Sequence, residues 1–160
     1  MVQDWSNFAV ITGSAASALT GLLFVAVSLN RDRVVKHPAL RGQAGQTLVL
    51  FVLPLLLSVL LVLPGSSAAA LGTGLVVLAA VAGMTLRLID RGKGAAGDDP
   101  EGRLARLLDK ASPNLIVVIL TLVAGCVQLA GDDGLYWVAA SSVLSLVSGV
   151  VNAWLFLTRS

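Results

Sequence analysis

Residues 7–29 read NFAVITGSAASALTGLLFVAVSL and run directly into Asn30-Arg31-Asp32-Arg33. The stretch holds no charged side chain. A helix of about 20 such residues crosses the roughly 30 Å hydrocarbon core of a bilayer. It lacks the period-two alternation of a barrel strand. A backbone in hydrocarbon must also satisfy its own hydrogen bonds, so the reading is a transmembrane helix that ends where the charges begin.

The same reading carried outward finds apolar segments at about 46–63, 67–88, 113–130 and 135–157. They are separated by Pro64-Gly65-Ser66, by a long charged stretch, and by Gly131-Asp132-Asp133-Gly134, all of them turn or loop chemistry. Pro54 falls inside the second segment, where it removes one backbone hydrogen bond and is expected to kink the helix without ending it. Composition agrees. Over 160 residues the chain is 56% hydrophobic and 12% charged, with a mean hydropathy of +0.88. Soluble domains carry about 25% charged residues. The expected fold is all-α: one transmembrane domain over 1–160, a polytopic bundle of five spanning helices.

Basic residues set the expected orientation. Arg31, Arg33, Lys36 and Arg41 follow the first span. Arg87, Arg91, Lys93, Arg103, Arg106 and Lys110 lie at the end of the third and in the loop after it, and Arg159 follows the fifth. One topology places all eleven on the same side and leaves Asp4, Asp132 and Asp133 on the other. The positive-inside rule then gives N-out and C-in with an odd number of spans. Trp5 and Tyr136-Trp137 fall at the outer interface and Trp154 near the inner one, as an aromatic belt requires. No basic region precedes the first apolar run, which argues against a cleaved signal peptide. The basic loops read as topology determinants, so the lipid bilayer is the expected partner and nucleic acid is not.

The loop from about Ile89 to Ser112 changes character at Asp98-Asp99-Pro100-Glu101, which reads as a helix start. Leu104, Leu107, Leu108 and Ala111 then share one face, with Arg103, Arg106 and Lys110 away from it. Two readings stay open: a short cytoplasmic amphipathic helix on the membrane surface, its three cations near anionic head groups, or a solvated linker helix packed on the protein.

No span carries an ionisable residue near its centre. The single Cys126 and single His37 build neither a metal-ligand set nor a nucleophile–base pair. The expectation is a protein that is not an enzyme and needs no cofactor or metal. What remains is small and weakly polar residues at helical spacing. Gly13, Ser17 and Gly21 recur every four residues in the first span, and Gly72 and Gly83 lie on small-residue rows of the third. Such rows let helix backbones approach closely in lipid, within one chain or between chains. In the fifth span Ser141, Ser145, Ser148 and Asn152 form one polar stripe, with Val143, Leu144, Val147 and Val150 elsewhere. A polar stripe in lipid faces protein, as a helix interface, or water, as the lining of a weakly selective homo-oligomeric channel.

The run Ala18-Leu19-Thr20-Gly21-Leu22-Leu23-Phe24-Val25-Ala26-Val27-Ser28-Leu29-Asn30, with Leu40-Arg41-Gly42-Gln43-Ala44 and Leu63-Pro64-Gly65, resembles a family of small bacterial multi-pass membrane proteins. The family has no established role, although some members are labelled as modulators of a membrane protease. The resemblance covers the first two spans. It implies a bacterial plasma-membrane protein and assigns no functional residue. The leading expectation is a structural or regulatory membrane protein that self-associates or binds another membrane protein.

Overall fold

The computed structural model describes residues 2–64, 67–91, 113–131 and 133–158, and these are helical almost throughout. In chain order the helices are α1 (Val2–Leu29), α2 (Arg31–Lys36), α3 (Pro38–Val62), α4 (Ala68–Arg91), α5 (Pro113–Ala130) and α6 (Leu135–Thr158). No strand occurs among the described residues. The proposed surface helix of the long loop, with Arg103, Arg106 and Lys110, lies outside them.

Each apolar segment read from the sequence falls on one long helix. The largest departure is at 30–45, where a loop was expected and helix is found. Asn30 ends α1 by turning its side-chain amide onto the Ala26 carbonyl at 3.0 Å, and the chain starts again as α2 one residue later. Pro38 then occupies the first turn of α3, where its missing N–H costs nothing and its fixed φ suits the helix. The polar Arg41, Gln43 and Gln46 lower local hydropathy but do not oppose helix, so α3 runs past the hydrophobic boundary.

Helices α3, α4, α5 and α6 close a ring, each packed on the next and α6 back on α3. Leu50, Leu57, Leu75, Val117, Ala124 and Val138 fill its centre. Helix α1 lies outside the ring against α3, and only 17% of its most apolar window is buried. The exterior is apolar as well as the core, unlike that of a water-soluble protein. Ile11, Leu22, Met84 and Val147 are exposed, while Thr47, Thr121, Ser141 and Ser145 are fully buried. Helices α1, α3, α4 and α6 are long and apolar enough to cross a membrane. Helix α5 is as apolar but shorter.

Candidate functional site: the seams between helices

The polar stripe of α6 points into the bundle. Ser141 and Ser145 are fully buried, Ser148 is buried and Asn152 half-buried, while Val143, Val147 and Val150 face outward. The Ser145 hydroxyl donates to the main-chain carbonyl of Leu50 on α3 at 2.6 Å. Pro54, four residues further along α3, explains this bond. It has no N–H, so the Leu50 carbonyl lacks its ordinary intrahelical donor. Ser145 supplies one from the neighbouring helix. One turn later Gly149 meets the buried Phe51 ring so closely that a Cβ there would clash with ring carbons Cε1 and Cδ1. The stripe is therefore half of an α3–α6 seam: a hydroxyl for an orphaned carbonyl, then a gap for an aromatic ring. Ser145 and Gly149 meet α3 directly, at Leu50 and Phe51.

Other buried hydroxyls bond to their own helices, the usual resolution in an apolar interior. Thr121 donates to the Val117 carbonyl at 2.8 Å, Thr47 to Gln43 at 2.9 Å, Ser58 to Pro54 at 2.7 Å and Ser141 to Val138 at 2.9 Å. Among the described residues two buried amide oxygens find no partner. Asn114 Oδ1 and Gln128 Oε1 are buried near opposite ends of α5.

The small-residue positions divide between two fates. Gly72 and Gly125 face each other across α4 and α5, and a Cβ on either would come within about 3.2 Å of the other's carbonyl oxygen. Gly83 of α4 abuts Val118 of α5, and Gly13 of α1 abuts Ser58 of α3. These three sequence-marked glycines serve packing within the chain. Ser17 and Gly21 do not: Ser17 is exposed, and a Cβ on Gly21 would meet nothing within 4 Å. From the sequence alone Gly125, in the middle of the fourth span, reads as an interfacial or packing residue and Gly149 as a flank of the polar stripe; their partners Gly72 and Phe51 are not legible there.

At the far end of the bundle Trp5 packs edge-to-face on Tyr136, with ring centroids 5.2 Å apart, and on Phe8 at 5.7 Å. The two tryptophan–tyrosine positions assigned to one membrane interface are thus neighbours in the fold. Gly131, with φ of +92°, closes α5 in the left-handed region and leads to α6. Cys126 is exposed on α5, and Arg87 and His37 are exposed at the opposite end. Among the described residues no group of three or more His, Cys, Asp or Glu is placed to hold a metal.

An apolar exterior around hydrogen-bonded, glycine-packed seams defines a helical bundle compatible with a multi-pass membrane protein. No family model, no curated protein and no solved structure matches the chain.

Proposed function

We propose that this is a non-enzymatic integral protein of a bacterial plasma membrane, with five spans, N-out and C-in, and a structural or regulatory role. It works by self-association, or by binding another membrane protein, through the outer face of α1. The observation that carries this reading is the division of the small residues. Gly13, Gly72 and Gly83 are consumed by contacts inside the chain, whereas Ser17 and Gly21 stand open on a helix held mainly by one neighbour. An open small-residue row is what a second helix needs for close approach in lipid. The likeness of residues 18–30 to bacterial membrane proteins supports the location. For the fourth span, the 18 residues of α5 give about 27 Å of helix, within the range that spans a bilayer.

The test is disulfide crosslinking in native membranes. Single cysteines replace Ser17 or Gly21 in a Cys126→Ala background, with Val143→Cys on α6 as the control. Crosslinked dimers at 17 and 21, and none at 143, support self-association. A protein that stays monomeric in membranes and in mild detergent, and carries no partner through purification, overturns the reading.

A further inference from the structure

The α1–α2–α3 elbow, residues 28–41, is a hydrogen-bonded and strongly basic element whose exposed cations take no part in packing. The Asn30 N–H and side-chain amide both turn back to the Ala26 carbonyl, at 3.3 and 3.0 Å. The Val34 N–H bonds the Asn30 carbonyl at 3.0 Å, and Arg41 bonds the His37 carbonyl at 3.2 Å, so the reversal is hydrogen-bonded through its length. Val34 is buried, and α2 packs on α3. Arg31, Lys36 and Arg41 are exposed on this frame, and Asp32 is the only carboxylate between residues 28 and 41. Leu29 and Val35 are also exposed, at 81% and 58%. Between the end of α1 and the start of α2 lies a concavity of about 160 Å³, lined by Ser28, Leu29, Asn30, Arg31 and Asp32.

We propose that this elbow binds the headgroup of an anionic phospholipid. Cations beside bare apolar side chains, at the end of a membrane-crossing helix, match a ligand with a phosphate at one end and acyl chains at the other. Arg31 presents a planar fork suited to phosphate oxygens, and the Ser28 hydroxyl at the same concavity donates alongside it. Asp32 accepts from headgroup hydroxyls such as those of glycerol. Lys36 and Arg41 add attraction within a screening length, and Leu29 and Val35 meet the acyl chains. Charge selects the anionic lipid over a zwitterionic one, since the exposed cations outnumber the one acid. The orientation proposed above enters only in naming the leaflet, which becomes the cytoplasmic one.

The full-length protein is purified in non-ionic detergent, offered equal amounts of phosphatidylglycerol and phosphatidylcholine, and its retained lipids are counted by native mass spectrometry. The wild type is expected to favour phosphatidylglycerol at least tenfold. The preference should fall about fivefold for each cation removed through Arg31→Gln, Lys36→Gln and Arg41→Gln, and stay unchanged in Arg87→Gln. Equal retention of the two lipids by the wild type overturns the proposal without any variant. So does a folded triple variant, checked by circular dichroism, that keeps the preference. If the triple variant does not fold, the pair Lys36→Arg with Arg41→Lys and the salt dependence of the wild type decide. Charge-driven binding survives the first and weakens in concentrated salt, and the reverse overturns it. Displacement of the lipid by millimolar inorganic phosphate would reassign the elbow to a soluble anion and overturn the lipid assignment. Labelling Lys36→Cys from outside intact cells would overturn the orientation alone and leave headgroup binding to stand or fall on the lipid counts.

Discussion

The Leu50 carbonyl is where the chain's local chemistry and its tertiary structure meet. Pro54 deprives it of a backbone donor, and Ser145 delivers a hydroxyl at 2.6 Å from another helix. Ordinary interhelical hydrogen bonds in membranes average only about 0.6 kcal/mol, because an alternative partner is usually at hand. Here the usual alternative has been removed by proline. Ser145→Ala should therefore cost more, about 1–3 kcal/mol, the range for stranding a buried acceptor. Pro54→Ala restores an N–H to the Leu50 carbonyl, so Ser145→Ala in that background should cost at least about 1 kcal/mol less than it does alone. Reversible unfolding of the four proteins in detergent measures this, and additive effects would deny the link between proline and serine. Asn114 presents the opposite case, a buried oxygen with no partner. Replacing a stranded acceptor by an apolar side chain of similar shape is close to neutral or stabilising. Asn114→Leu should leave the unfolding midpoint unchanged or raised, and a loss above about 1 kcal/mol would mean the amide is bonded after all.

Among the helices, α4 and α5 meet at the backbone of Gly72 and Gly125, whereas Gly13 of α1 meets the Ser58 side chain of α3. A Cβ on Gly125 would lie 2.8 Å from Val76 Cγ2 and 3.0 Å from the Val76 nitrogen, so the second contact cannot be relieved by a rotamer change. Gly125→Val should part α4 from α5 and cost about 1–3 kcal/mol or more in the unfolding assay. A Cβ at Gly21 meets nothing within 4 Å in the monomer, and valine is a modest helix former. Unfolding of Gly21→Val should move by less than about 0.5 kcal/mol while crosslinking at Ser17 falls. A large loss of monomer stability at Gly21 would place an unseen intrachain contact there. This contrast was only half legible in the sequence. The spacing of Gly13, Ser17 and Gly21 marks a close-packing row, but periodicity cannot say which members a neighbouring helix already covers. The helical elbow at 30–45 was hidden for a related reason. Hydropathy registers where hydrocarbon ends, and helix is free to continue beyond it. By contrast α5 was legible residue for residue, because Pro113 and Gly131 bound it with backbone chemistry.

Among the described residues the threonine and serine side chains of the ring helices are largely buried, apolar side chains cover the outside as well as the core, and exposed cations gather at the end of the bundle away from Trp5, Tyr136 and Asp133. That polarity fixes which ends share a side, because α5 and α6 form an antiparallel pair joined at Gly131–Gly134 and α1 meets α6 through Trp5 and Tyr136. Whether α5 crosses the bilayer decides the topology downstream of it. A helix of 18 residues is short for a span, and an unsupported one would need the bilayer to thin. In the ring, α5 is flanked by α4 and α6, and its buried residues Asn114, Val117, Thr121 and Ala124 run along most of its length. Crossing places residue 133 outside and residue 160 inside, whereas a helix that fails to cross exchanges them. With Cys126→Ala as background, Asp133→Cys should react with a membrane-impermeant thiol reagent in intact cells. Ser160→Cys should react only after permeabilisation. The reversed pattern at both positions would reduce the spans to four, move Asp132 and Asp133 to the side of the basic residues and carry Arg159 to the other side, against the positive-inside expectation.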